Sequence, residues 1–196
     1  TSRIVQSFGF YKRGRLELNM KYKRIYRWIY YEIVGRMDYK RYIKKIGVNL
    51  RGEVHLYGRS SWGTEPWLIT IGDNVHITKG VQFITHDGGT LIFRKDVPDL
   101  EITKPITIGN DVYLGNNVIL LPGVTIGNRV VVGAGAIVTK DIPDNSVAVG
   151  VPARVIKSAD DYFEKLKIES LHLGNLCGEE KDIALKKYYN YSGSSK

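Results

Sequence analysis

The sequence is poor in cysteine and in long apolar runs. Its 196 residues include a single cysteine, Cys177, so no disulfide can form within the chain. We therefore expect a reducing, cytoplasmic setting rather than an extracellular one. No apolar run approaches the roughly 20 residues of a membrane-spanning helix, and the N-terminus lacks the apolar stretch of a signal peptide.

Histidine is also scarce. The chain has only His55, His76, His86 and His172, and neither these residues nor Cys177 show the spacing of a zinc site. We therefore expect no bound metal.

Acidic residues are outnumbered, and the net charge is +9. The excess is concentrated between residues 11 and 45, where lysines and arginines alternate with tyrosines. We predict an N-terminal basic helical region over residues 1–45, because Ile25, Trp28 and Ile33 fall at helical spacing. A polar cap over the end of a repeat fold explains this segment. The alternative is peripheral contact with an anionic membrane at its inner face, and we expect no nucleic acid partner.

A six-residue period is the main feature that is present. Between Ile71 and Ile156 the chain runs in the blocks IGDNVH and ITKGVQ, and after an interruption IGNDVY, LGNNVI, LLPGVT, IGNRVV, VGAGAI and VTKDIP. The first place is always aliphatic and the fifth is small and mostly β-branched. Neither a helix nor a simple alternating strand produces this pattern, whereas a parallel β-helix does.

The period divides the chain into three parts. We predict a β-helix domain over residues 46–157, followed by a C-terminal helical segment and disordered tail over residues 158–196. A loop over residues 85–105 leaves the solenoid, because the stretch between Phe83 and Ile108 does not keep the six-residue spacing. A loop of this length in a tight solenoid indicates a functional role.

The stretch from ITIGNDVYLG to GVPARVIK resembles the hexapeptide-repeat acyltransferases of the galactoside, maltose and polysaccharide O-acetyltransferase type. The resemblance implies a mainly β fold, a left-handed parallel β-helix with three hexapeptides per coil. It also implies a homotrimer that uses acetyl-CoA as cosubstrate. The expected reaction is transfer of an acetyl group to a sugar hydroxyl, in bacterial cell-surface polysaccharide biosynthesis.

His86 is the candidate general base. A sugar hydroxyl is a poor nucleophile at neutral pH, so acetyl transfer needs a base, and histidine titrates in the right range. His86 stands at the root of the long loop, in FITHDGG, where the resembling family has its catalytic histidine. Asp87 follows at once and is a poor partner for the same ring, since adjacent side chains of an extended segment point to opposite faces.

The resemblance also places the cosubstrate and, less directly, the acceptor. The expected acetyl-CoA contacts are Tyr113, Gly115, Asn116, Ala134, Thr139, Lys140, Arg154 and Lys157. Arg154 and Lys157 suit phosphates. Candidate acceptor contacts are His55, Trp62 and Trp67, the two tryptophans because RSSWGTEPW reads as a loop at a functional rim.

Two other functions fit the sequence. N-acetylation of an amino sugar or nucleotide sugar needs the same base, so the motif does not separate it from O-acetylation. A non-catalytic binding solenoid is the second alternative. A γ-carbonic anhydrase is disfavoured, because it needs three zinc-binding histidines.

Overall fold

The structure, a computed structural model, describes residues 39–191 and residue 193. Most of the predicted N-terminal helical region therefore lies outside the described residues, including the positions Ile25, Trp28 and Ile33. Helix α1 (Tyr39–Lys45) is the part that is seen. In the described part of the chain, no helix has the length and apolar character needed to cross a bilayer.

Thirteen short strands follow α1 within residues 39–191. They are β1 (Asn49–Leu50), β2 (Val54–Leu56), β3 (Ile69–Ile71), β4 (Val75–Ile77), β5 (Gln82–Phe83), β6 (Ile106–Ile108), β7 (Val112–Leu114), β8 (Ile119–Leu120), β9 (Thr125–Ile126), β10 (Val130–Val132), β11 (Ile137–Val138), β12 (Ser146–Val149) and β13 (Arg154–Ser158). Two 3-10 helices, Pro66–Leu68 and Gly88–Phe93, interrupt them. Helices α2 (Ala159–Glu169) and α3 (Gly178–Tyr188) close the described chain.

The strands form the three faces of a parallel β-helix. The first face carries β1, β3, β6 and β9, the second carries β2, β4, β7, β10 and β12, and the third carries β5, β8 and β11. Strand β13 adds to the second face as an antiparallel end strand. Val112 pairs with Val130 and Ile119 with Ile137, so a regular coil holds three hexapeptides, one for each face.

The repeating aliphatic residues form the core. The first-place and fifth-place residues of every hexapeptide are at most 5% exposed, and Ile71, Leu114 and Val132 are fully buried. Burying one such side chain contributes about 1.5–3 kcal/mol, and strands of this shortness have few other contacts. The six-residue period therefore predicted the interior of the solenoid correctly.

The first corner, between the first and second faces, is held by a column of Asx side chains. The Oδ1 atom of Asn110 accepts from the backbone N of Asp73 (2.8 Å), and the Oδ1 of Asn128 accepts from the N of Asn110 (2.9 Å). Asp144 Oδ1 continues the column by accepting from the N of Asn128 at 2.6 Å. These bonds satisfy backbone N–H groups that the turn leaves without a strand partner.

Close stacking at this corner excludes a side chain at Gly109. A Cβ atom there would lie 2.6 Å from the carbonyl oxygen of Gly127 in the next coil, whereas a Cβ at Gly88 would meet open space. We expect Gly109→Ala to lower the free energy of unfolding by about 1–3 kcal/mol and Gly88→Ala to change it by less than about 0.5 kcal/mol. Chemical denaturation followed by circular dichroism measures both, and equal stability of the two variants would contradict this account of the corner.

The second corner joins the second face to the third, and the third corner joins the third face back to the first. The residues between β5 and β6 leave the solenoid at the third corner. The base of this loop is closed as a short antiparallel pair, in which the backbone N of Asp87 donates to the O of Ile102 (2.9 Å) and the N of Lys104 donates to the O of Thr85 (2.8 Å). The loop thereby holds His86 at a fixed place on the third corner.

Candidate active site

His86 lies where the long loop leaves the third corner, next to a carboxylate. Its Nδ1 is 3.1 Å from Oε2 of Glu65, and the two side chains are 40% and 25% exposed. Glu65 belongs to the preceding coil and lies just before the 3-10 helix Pro66–Leu68. Two consecutive coils thus bring together a pair that is well separated in the sequence.

Two threonines hold the carboxylate in place. Thr64 Oγ1 donates to Oε1 of Glu65 and Thr85 Oγ1 donates to Oε2, each at 2.6 Å. The hydrogen bond from Thr64, followed by that from Thr85, lowers the pKa of Glu65 below its ordinary value. Glu65 is therefore ionised at neutral pH and acts only as an acceptor.

An ionised Glu65 determines which nitrogen of His86 carries the proton. Because a carboxylate accepts, Nδ1 of His86 must donate, and Nε2 then has the free lone pair. Thr64 Oγ1 also lies 3.1 Å from Nδ1. Within the described part of the chain no protein group bonds to Nε2, so this nitrogen is available to take a proton from a hydroxyl or an amine.

Asp87 does not contact the imidazole, as the alternation of side chains predicted. Its Oδ1 accepts from the backbone N of Gly89 at 2.8 Å and so caps the 3-10 helix Gly88–Phe93. Glu65 is the residue that the sequence reasoning missed. The spacing of the histidines could have indicated this partner. His55 pairs with His76 in the next coil, and Glu65 precedes His86 by the same number of residues.

Four of the expected acetyl-CoA contacts lie together. Tyr113 projects outward from β7 and is 43% exposed. Gly115, Asn116 and Ala134 follow at the second corner, where the backbone O of Asn116 accepts a hydrogen bond from the backbone N of Gly135 (2.8 Å). A Cβ at Gly115 would lie 2.5 Å from the N of Ala134, so close stacking of coils explains this glycine without any ligand.

The other four expected acetyl-CoA contacts lie elsewhere. Thr139 and Lys140 are exposed at the third corner, directly after β11. Arg154 is exposed and Lys157 half-buried on β13, at the end of the solenoid. A single chain therefore does not gather the eight residues into one site.

The candidate acceptor residues also separate. Trp62 is 5% exposed, stacks on Phe83 with ring centroids 4.7 Å apart, and donates from Nε1 to Oη of Tyr39 at 2.9 Å. The placement of Trp62 in an acceptor site was wrong, because its ring fills the interior of the first coil. Trp67 is 64% exposed, and His55 is half-buried on the outer side of the second face.

Potential metal ligands are dispersed in the described part of the chain. Among residues 39–191 no three His, Cys, Asp or Glu side chains lie close enough together to hold an ion. His172 is far along the sequence in the segment between α2 and α3, where it takes a positive φ of 53°.

Comparison with known proteins gives sequence relatives over most of the chain. Residues 105–140 match the family described as bacterial transferase hexapeptide (six repeats). The chain is 49% identical to "Protein CapG" of Staphylococcus aureus over 145 residues, which cover 73% of this chain and 84% of that protein. It is 46% identical to the galactoside O-acetyltransferase of Escherichia coli K12 over 111 residues, 54% of each chain.

The chain is also similar to a solved structure. The maltose O-acetyltransferase of Clostridium difficile 630 is 31% identical, with a TM-score of 0.48, over 61% of this chain and 73% of that one.

Proposed function

Because this chain belongs to the bacterial hexapeptide transferase family, we propose that it transfers an acetyl group from acetyl-CoA to a hydroxyl of a sugar. Membership also confirms the predicted fold class, a left-handed parallel β-helix of hexapeptide repeats. The proposal takes its reaction from a relative named galactoside O-acetyltransferase, of which the chain covers about half. Cell-surface polysaccharide or its lipid-linked precursor is the acceptor class proposed from the sequence.

The observation that carries the proposal is the pair formed by His86 and Glu65. Nε2 of His86 takes the proton of the acceptor hydroxyl as the oxygen attacks the thioester carbonyl. Glu65 stabilises the imidazolium that forms and keeps the ring in the required tautomer. Collapse of the tetrahedral intermediate expels the CoA thiolate, which takes the proton from His86, so the side chains end as they began.

The reactants meet between copies of the chain. His86 lies at the third corner, whereas Tyr113, Asn116 and Ala134 lie on or beside the second corner, so one face of the solenoid separates the two sets. A neighbouring copy that presents its second corner to the loop of residues 85–105 completes the site. A closed ring of three copies makes three such contacts, in agreement with the homotrimer expected from the family.

The proposed CoA site runs from the second corner towards the end of the solenoid. Tyr113, Asn116 and Ala134 border the pantetheine arm, because the small residues of this corner allow a narrow chain to approach the backbone. Arg154 and Lys157, at the end of the solenoid, serve the nucleotide end, together with Thr139 and Lys140 from the third corner of the copy that supplies His86. The charge of the three basic residues suits phosphates. Arg154 is exposed, and its guanidinium makes one hydrogen bond among the described residues, to the carbonyl of Ala153 (2.9 Å), so further donors of this group can bind a ligand.

The assembly is testable through the apolar side of the loop. Leu91, Ile92 and Phe93 are 62%, 70% and 53% exposed, an exposure expected of a surface that another molecule covers. We expect sedimentation to give about three times the chain mass of 22.2 kDa. Ile92→Asp should shift the protein towards smaller species, whereas Ile168→Asp, at a residue 86% exposed on α2, should not. A wild-type monomer at micromolar concentration would contradict the shared site.

The reaction is tested by release of the CoA thiol from acetyl-CoA in the presence of a panel of acceptors. The panel contains simple pyranosides, 2-amino-2-deoxy sugars and nucleotide sugars. We expect pyranoside-dependent thiol release, with mass spectrometry of the product showing an ester. An amide product on an amino sugar would favour N-acetylation instead, which the same base also supports. Tight binding of acetyl-CoA without turnover on any acceptor would favour a binding solenoid.

A further inference from the structure

The outer side of the second face carries a set of aromatic rings that are not part of the hydrophobic core. His55 on β2, His76 on β4 and Tyr113 on β7 occupy the same outward position on adjacent strands. The rings of His55 and His76 stack with centroids 4.4 Å apart and planes inclined by 16°. On the later strand β10 the same outward position holds Val131. The aromatic character is thus confined to one end of the face.

Tyr57 extends this set, and a chain of hydrogen bonds fixes it. Its ring lies within 8° of parallel to that of His76, and its Oη is 2.8 Å from Nδ1 of His76. Nε2 of His76 is 3.1 Å from Oδ1 of Asn74, whose Nδ2 donates to Oδ1 of Asp111 at 2.7 Å. Asn74 Oδ1 can only accept, so Nε2 of His76 carries the proton and Nδ1 accepts from the hydroxyl of Tyr57.

The arrangement is neither a packed core nor a metal site. Tyr57 is 61% exposed and His55 half-buried. Both ring nitrogens of His76 are occupied by hydrogen bonds, and stacked rings direct their lone pairs side by side rather than towards a common point. Burial, together with the electrostatic effect of the neighbouring His55, lowers the pKa of His76, so the His76 imidazole is uncharged at neutral pH.

His55 is the group left with unused polar atoms. In the described residues neither of its ring nitrogens has a hydrogen-bond partner, although the ring is partly withdrawn from water against His76. Next to it, Tyr57 is the first residue of the second corner in the first coil. The same corner of the following coils contains Lys79, then Asn116, then Ala134. The aromatic set therefore adjoins the corner assigned above to acetyl-CoA.

We propose that Tyr57, His55 and His76 form a subsite for a neutral pyranose ring of the acceptor. The C–H groups of a pyranose face pack on the exposed ring of Tyr57, and the ring nitrogens of His55 exchange hydrogen bonds with its hydroxyl groups. Aromatic groups with polar tips combine these two contacts, and few such groups suffice to orient a ligand. The inference rests on the proposed function, since it specifies the acceptor of that reaction.

The test is a binding measurement on the whole chain without acetyl-CoA, so that it does not depend on turnover. Saturation-transfer NMR with methyl β-galactopyranoside and methyl 2-acetamido-2-deoxyglucopyranoside as probes should show transfer to the sugar ring protons. The histidine Cε1–H signals of His55 and His76 should shift during the titration. Tyr57→Ala should weaken binding by about tenfold, the combined effect of one lost ring contact and one altered hydrogen bond.

Tyr188→Ala is the matched control, because Tyr188 is 59% exposed on α3, far along the chain from the subsite. It should leave the affinity within about twofold. Equal binding by Tyr57→Ala and wild type would overturn the subsite, and so would the absence of saturation transfer to either glycoside. A smaller assembly on sedimentation of Tyr57→Ala would also overturn it, by assigning the rings to a contact between copies.

The two proposals fail in different ways. If sugar binding depends on Tyr57 but no acceptor gives thiol release, the proposed acetyl transfer is contradicted and the sugar subsite is supported. If Tyr57→Ala releases the thiol with an unchanged acceptor KM, the proposed reaction is supported and the subsite is contradicted.

Discussion

His86→Ala is expected to lower kcat for acetyl transfer by about 10² to 10⁴, the usual effect of removing a positioned general base. The affinity for acetyl-CoA should stay within about twofold, because the imidazole of His86 is not among the groups proposed to hold the donor. Thiol release under saturating acetyl-CoA gives kcat, and calorimetric titration with CoA gives the affinity.

The matched control is His172→Asn, which removes a histidine outside the site and leaves a residue that tolerates the positive φ of 53° at this position. Its kcat should be that of the wild type. Near-normal turnover of His86→Ala would contradict the assignment of the base. A loss of CoA affinity in step with kcat would instead mean that the substitution disturbs the loop and with it the donor site.

The interior of the fold was predictable from sequence because every hexapeptide of the solenoid buries apolar side chains at the same two places. Each hexapeptide places one large and one small apolar side chain at equivalent positions of the interior, so residues such as Leu114 and Val118 had to be buried, and they are. The same reasoning located the long loop, since an insertion can leave a solenoid only at a corner. The choice of His86 as candidate base rests on its position at the base of that loop together with the family motif.

The partner of His86 was missed because the first coil does not keep the regular period. His55 pairs with His76 at a longer sequence separation than the three hexapeptides that separate paired residues in the later coils. Counting this longer separation back along the sequence from His86 leads to Glu65, and counting it back from Phe83 leads to Trp62. Glu65 contacts His86, and Trp62 stacks on Phe83 in the core. Trp62 and Trp67 were placed at a functional rim only because the segment RSSWGTEPW has the composition of a loop, and this placement was wrong for Trp62.

Glu65→Gln is expected to lower kcat by about 10², with little change in the acceptor KM. The amide keeps the volume of the side chain but cannot stabilise a developing imidazolium, and its NH₂ group can turn towards Nδ1 and favour the wrong tautomer. Asp87→Asn is the matched control, because Asp87 adjoins His86 in sequence but caps Gly89. Its kcat should stay within about twofold of the wild type.

The pH–rate profile separates this positioning role from a merely structural one. The hydrogen bonds from Thr64 and Thr85 lower the pKa of Glu65, so in the wild type the carboxylate stays ionised throughout the pH range of the assay. Glu65→Gln removes this negative charge from beside Nδ1 of His86, so the pH dependence of kcat/KM in the variant should differ from that of the wild type. An unmoved profile, or an equal loss of kcat in Asp87→Asn, would mean that Glu65 only supports the loop and does not orient the base.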